Sequence, residues 1–458
     1  MVKRRTVRHF SKRRRKSAGG DILHYKNKCP VCPNARMRRQ KELFMATRER
    51  IYERFIEPFR KPCGEEVGIE AEFPLRMLNG AKPDRDEILA AFAQTEKAGY
   101  LPDKTSLDGN VISRSGADGT NLSFDTSYLN FEFSMHPTAT LTQTVQDFYK
   151  AFALADGAFR SRGLAISGSA LNKTALEYGD SMRIRREADE VHELEYRYLS
   201  APERGVHPVF AAHPNFFTLI SSLQMHLDTD LDRLPLVLNT LAKLDFIDLL
   251  LFANSPCRLG GLDWLDGRYY FYLHSAFTPL GLTGTPDTEY RSIEQIVDDY
   301  AQREYPCGDE NIFSYHNAEL STFGTVEYRV TDTQPLGQEL LPALFVYGLM
   351  KQPERAYEIL SRIHGELYPQ HTNSELCILA ARADCVRMFE TPAMRRALTE
   401  LYELAVAGVS PDLRSRMLPL GDRIERLSSP AKELLAREAR ARSSFSLLQS
   451  PAAAACFG

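Results

Sequence analysis

Glu70 and Glu72 stand two positions apart in the apolar run EEVGIEAEFPL, residues 65 to 75. A strand sends alternate side chains to opposite faces. Val67, Ile69, Ala71 and Phe73 then share one face, and Gly68, Glu70 and Glu72 the other. The two carboxylates lie roughly 7 Å apart, from the rise of two strand residues. The same split recurs in three more segments. In YLNFEFSMHP, Leu129, Phe131, Phe133 and Met135 oppose Asn130, Glu132, Ser134 and His136. In SLQMHLD, Leu223, Met225 and Leu227 oppose Gln224, His226 and Asp228. In GTVEYRVTD, Val326, Tyr328 and Val330 oppose Thr325, Glu327, Arg329 and Thr331.

Any one of these segments alone is explained by an antiparallel strand with a wet face. Together they concentrate acids with no lysine in any of the four polar rows. Clustered carboxylates repel unless a cation sits between them. Hard divalent ions take oxygen ligands and bridge nucleotide phosphates to protein carboxylates. The pattern points to an ATP and magnesium site. His226 could complete the metal shell. Arg329 could hold a transferring phosphoryl group, because guanidinium matches phosphate oxygens in planar, bidentate fashion. No glycine-rich phosphate loop with a following Lys and Ser or Thr occurs, which argues against a P-loop enzyme.

The elements that must position these rows are strands mixed with long helices. SGADGTN joins GNVIS to LSFDTSYLNFEFSMHP as a hairpin-like unit. Residues 141 to 162 and 232 to 253 carry helical patterns, as does most of 336 to 443. RYYFYLHSAF and FGTVEYRVTD read as strands, and RQKELFMATRERIYERFIEPF as a helix. Without a regular strand–helix alternation, the expectation is an α+β fold with an antiparallel sheet. At 458 residues, 43% hydrophobic and 26% charged, the composition is that of a soluble globular protein. The longest apolar run, LPLVLNTLAKLDFIDLLLFA, holds Lys243, Asp245 and Asp248, which suits a buried helix better than a membrane span. Eight scattered cysteines are not a disulfide framework, and the start has no secretory h-region, so a cytoplasmic location is expected.

GIEAEF, LNFEFSMHP, LQMHLD, LLFANSP and TVEYRVTDTQP, in this order over residues 65 to 340, resemble the motif series of the glutamate–cysteine ligase family. That family consists of carboxylate–amine ligases of the glutamine synthetase superfamily. The resemblance implies a glutamine synthetase-like core, a curled antiparallel sheet backed by helices, with ATP and two or three Mg2+ ions on its concave face. It implies phosphorylation of the glutamate side-chain carboxylate, followed by attack of an amine, typically that of cysteine. By the match of motifs Glu70, Glu72, Glu132, His226 and Glu327 would be metal ligands, with Asp125 as a further member. Arg329 would contact the γ-phosphate. An Arg near an aromatic would assist the substrate; Arg268 is favoured over Arg258, both close to Trp264, the only Trp. Arg183 or Arg185 could also reach substrate.

The remaining signals lie in the first 64 residues. Cys29 and Cys32 in CPVC have zinc-knuckle spacing, with Cys63 and His24 as further candidate ligands; a redox pair and plain thiols are the alternatives. Residues 1 to 50 are crowded with Lys and Arg against only Asp21, Glu42 and Glu49. They read as a solvated arm, or as one that docks an acidic or nucleic-acid partner. The chain thus divides into a basic arm with CPVC and a helix (1–64), a catalytic core (65–340), a helical region packed on it (341–445) and a tail (446–458). Two rivals to the ligase stand: a phosphotransferase acting on a guanidino or amine acceptor, and a partner-binding protein acting through the arm.

Overall fold

A computed structural model describes residues 45–61, 63–64, 66–138, 140–172, 174–175, 182–184, 216–259, 261–274, 283–303, 305–307, 310–312 and 315–445. The chain divides into Met1–Ala46 and Thr47–Gly458, and the architecture below is that of the second unit. Its centre is a nine-stranded sheet. The strands are β1 (Val67–Met77), β2 (Leu101–Thr105), β3 (Val111–Ser115), β4 (Asn121–Phe124), β5 (Asn130–Thr138), β6 (Leu164–Ile166), β7 (Leu223–Asp228), β8 (Ala318–Leu320) and β9 (Thr325–Tyr328). Their order is β8–β9–β7–β1–β5–β4–β3–β2, with β6 also paired to β1, and every pair is antiparallel. The sheet is open rather than closed into a barrel. The expected mixture of helices and antiparallel sheet is therefore present.

Strand alternation holds where the sequence placed it. Val67, Ile69, Ala71 and Phe73 are all buried. On the same side, Phe131 and Phe133 stack edge-on at 5.1 Å between ring centres, and Phe73 meets Phe133 at 5.8 Å. Helix α2 (Leu141–Arg160) covers this aromatic layer, after the shorter α1 (Arg85–Ala93). Its buried residues Leu141, Val145, Phe148, Ala151, Ala155 and Phe159 recur at three- and four-residue spacing, the signature of one apolar stripe. The Thr140 hydroxyl caps it by accepting from the Gln143 N–H.

The predicted helix at 232 to 253 appears as α3 (Leu234–Phe252), buried almost all round between the sheet and further helices. After it come α4 (Gly267–Leu273), α5 (Ile293–Arg303), α6 (Leu341–Met350), α7 (Pro353–Arg362), α8 (Asn373–Ala381), α9 (Pro392–Gly408), α10 (Leu418–Arg426) and α11 (Pro430–Phe445). Helices α7 and α8 pack on α3, and α9 packs on α6. One expectation fails: RYYFYL forms α4, not a strand. The Asp266 carboxylate accepts from the Tyr269 N–H and starts the helix. Its aromatic residues are then buried on more than one side, so packing overrides their strand propensity. Among the described residues, no helix is long and apolar enough to cross a membrane.

Candidate functional site

Cross-strand register turns the four polar rows into rungs on one face. Across the first rung Glu319, Glu327, His226 and Gly68 stand side by side on β8, β9, β7 and β1. The second sets Gln224, Glu70, Ser134 and Asn121 in line on β7, β1, β5 and β4. The third holds Glu72, Glu132 and Ser123. Gly68 has a steric role here. A Cβ at that position would lie 3.2 Å from the His226 Cβ and crowd the imidazole, whose Nε2 approaches the Glu70 Oε1 at 3.4 Å.

Charge on this face is unevenly compensated. Arg329 pairs its Nη1 with the Glu319 Oε1 at 3.0 Å and its Nη2 with the Glu327 Oε1, and it donates to the Gln224 Oε1 at 3.1 Å. His226 is oriented through Nδ1 by the Thr325 hydroxyl at 3.0 Å. Burial opposes charging His226, but Glu70 and Glu327 outweigh it and hold the imidazole above its ordinary range. Burial likewise works against ionising Glu70, yet its hydrogen bond to His226, with Arg329 behind it, holds that carboxyl below the usual value.

At the other end of the face, among the described residues, Glu72 and Glu132 form no ion pair, and Arg268 acts on Glu72 only through its field. Glu72 accepts from the Ser222 N–H at 2.8 Å and from the Gln224 amide at 3.1 Å. Burial, with Asp125 adding repulsion, still pushes it up to about 8. Glu132 accepts from the Ser134 hydroxyl at 2.6 Å. Burial and the fields of Glu70, Asp125 and Glu72 push it well above the carboxylate range. Four acids thus share a space in which they cannot all be charged without an added cation. Among the described residues, no three His, Cys, Asp or Glu side chains converge closely enough to hold an ion by themselves.

Arg268 takes a different place from Arg329. It is 3% exposed, donates to the Val330 carbonyl at 2.8 Å and to the Arg329 carbonyl, and lies over the Tyr272 ring. It braces the backbone that carries Arg329. Arg258 sits in a surface hairpin facing Asp263. Arg183 is described, in an isolated bridge to Ser127, whereas Arg185 lies outside the described residues. The ANSP and TDTQP segments form a buried, hydrogen-bonded knot with each other. The Asp332 carboxylate accepts from the Asn254 N–H and the Ser255 hydroxyl, both at 2.7 Å. The Gln334 amide donates to the Phe252 carbonyl at 2.7 Å, and Arg423 from α10 donates to Gln334 at 2.9 Å. The Thr333 hydroxyl donates to the backbone carbonyl of Glu72 at 2.7 Å, which ties the knot to β1.

Sequence reasoning missed Glu319. It lies on a three-residue strand, too short to show an alternation, and only its register opposite Glu327 reveals it. Cys29, Cys32 and His24 lie outside the described residues, and Cys63 is exposed. Nothing among the described residues supports zinc at Cys63.

No protein-family model matches the chain, and no curated protein sequence matches it. Several solved structures are similar in backbone. A bifunctional glutathione synthetase from Pasteurella multocida is 14% identical, with a TM-score of 0.45 over 88% of this chain and 51% of the synthetase. The chain thus spans about half the length of that protein. A glutamate–cysteine ligase from Francisella tularensis in complex with AMP is 11% identical, with a TM-score of 0.42 over 82% of this chain and 85% of the ligase. The ligase PafA, in complex with the prokaryotic ubiquitin-like protein Pup, is 11% identical, with a TM-score of 0.39 over 83% of this chain and 66% of that one. What the sheet face can do chemically is set by its side chains, not by these likenesses.

Proposed function

We propose that the chain is an ATP- and magnesium-dependent carboxylate–amine ligase, and more closely a glutamate–cysteine ligase that forms γ-glutamylcysteine. The observation that carries this reading is the crowding of Glu70, Glu72, Glu132 and Asp125 on one sheet face, next to Arg329. On this reading the face is the concavity of a curled sheet. Glu70, Glu72, Glu132, His226 and Glu327 would hold two or three magnesium ions, with Asp125 at the edge of the shell. Bound magnesium supplies charge neutralisation for the triphosphate.

The chain's own task is to bring two anions into contact. An oxygen of the glutamate γ-carboxylate attacks the γ-phosphorus of ATP, the bridging P–O bond breaks, and ADP leaves. Arg329 orients the phosphoryl group and offsets its charge, and Arg268 fixes the backbone from which Arg329 projects. The amine nitrogen then attacks the carbonyl carbon, the C–O bond to phosphate breaks, and phosphate departs as the nitrogen loses a proton. Phosphate is the leaving group that a free carboxylate lacks. The catalytic core is placed at residues 65–340 and the enzyme in the cytoplasm.

The test is incubation with ATP, Mg2+ and glutamate, with and without cysteine, ammonia, alkylamines or lysine. Amine-dependent release of ADP and phosphate with an amide of matching mass is expected. ADP without phosphate, together with a stable phosphorylated acceptor, would make the chain a phosphotransferase instead.

A further inference from the structure

A cavity of about 90 Å³ lies at the ends of β7 and β1, where the sheet meets α3, α6 and α7. Its apolar wall includes Val67, Leu227 and Val237, each at most 4% exposed. Val67 and Leu227 point to the opposite side of the sheet from Glu70 and His226, while Asp228 ends the polar row of β7, two residues beyond His226. Its lining carries both signs of charge. Asp228 is 4% exposed in its side chain. Its Oδ2 accepts from the Gly64 N–H, while its Oδ1 is buried and accepts no hydrogen bond. Among the described residues this oxygen's ion-pair partner is Lys61, whose Nζ stands 3.6 Å away, beyond the roughly 2.7–2.9 Å of a charge-assisted hydrogen bond. Arg233 and Lys351 also line the cavity. The first pairs with Glu354 through a half-exposed side chain, and the second lies 4.5 Å over the Tyr347 ring.

A deep carboxylate short of one donor, an apolar wall and basic groups beside it match a zwitterion. The volume falls between the roughly 30 Å³ share of one water and the roughly 150 Å³ of a cavity that admits benzene. That suits a small molecule and not a nucleotide. We propose that this cavity binds a free small amino acid, with its ammonium group on Asp228 and its carboxylate toward Lys351 and Arg233. This site is independent of the ligase reading, and its test uses neither ATP nor magnesium.

Cys63 is exposed and lines the same cavity, so it reports on occupancy. The experiment titrates the full chain with glycine, alanine, serine and glutamate by NMR. In parallel it follows alkylation of Cys63 by iodoacetamide through peptide mass spectrometry. Saturable binding of at least one of the smaller amino acids at millimolar concentration is expected, with a several-fold slowing of Cys63 alkylation. Asp228→Asn should remove both effects, and Glu327→Gln should keep both. Should Asp228→Asn fail to fold, Lys351→Met serves instead: it should weaken amino-acid binding by about tenfold, the loss of one charged contact. Methylammonium binding as tightly as the amino acid would overturn the zwitterion. Binding that survives Asp228→Asn but not Glu327→Gln would move the ligand to the sheet face and overturn the site. Absence of both binding and protection would overturn it as well.

Discussion

Two groups of buried acids, one near α3 and one on the carboxylate face of the sheet, are held differently. Near α3, Asp245 accepts from Asn317 at 2.9 Å and from the Thr285 hydroxyl, and Asp248 from the Thr331 hydroxyl at 2.8 Å; Asp332, next along the chain from Thr331, accepts from Asn254 and Ser255. Burial raises all three pKa values. On the front, Glu132 has the Ser134 hydroxyl but three acids around it. Each carboxyl of the first group is anchored by neutral donors, although Asp245 and Asp332 each keep one buried oxygen without a hydrogen bond. The front differs in geometry: Glu72 and Glu132 face each other across paired strands with Glu70 one rung away, and a cation between them would relieve the repulsion.

The strongest way to break this comparison is to neutralise the front. Glu70→Gln and Glu327→Gln are each expected to lower ATP-dependent turnover by about 10³-fold or more, with circular dichroism and the thermal midpoint little changed. Near-normal turnover in both would remove the metal assignment. The group near α3 should respond in stability, not in turnover alone. Asp245 is pushed up to about 7 by burial, from an ordinary carboxyl value of 3.8. With the folded value above the unfolded one, its contribution is full below pH 3.8 and is lost as pH rises toward 7. The native chain should therefore lose up to about 4 kcal/mol across that window. Urea unfolding of Asp245→Asn should show a flatter pH profile.

Arg268→Met tests the border between the two groups. It should cost about 3–5 kcal/mol in unfolding free energy along with activity; a residue serving substrate alone would leave stability intact. Glu319→Gln weakens one of the contacts that hold Arg329, and is expected to lower turnover by about ten- to hundredfold at most, the scale of one charged hydrogen bond. The finest measurement is calorimetric. With Glu72 near 8 and Glu132 raised, Mg·ATP binding at pH 7 should expel protons. Heats in two buffers of different ionisation enthalpy should then differ, and differ less in Glu132→Gln.

The rungs were legible in the letters because a two-residue period survives any context: residues that alternate between apolar and charged must face opposite ways. What the letters could not supply was register. Glu72 opposite Glu132, and Glu319 opposite Glu327, follow from pairings between segments far apart in the chain. The same gap explains Arg268. Read locally, RYYFYLHSAF is an aromatic strand. In the fold RYYFYL lies in a capped helix whose arginine points into the backbone of residues 329 and 330. The ANSP and TDTQP segments were read as part of an active-site series, and their polar side chains turn inward to each other instead.

Arg423 reaches from α10 across to Gln334 and to the Leu251 carbonyl, and burial lowers its guanidinium to about 10. A fragment ending at residue 340 would retain all nine strands of the sheet and lose this clamp. The helices after residue 340 are therefore not a detachable accessory: a truncated catalytic half would have to hold its own central seam shut without the residue that now fastens it.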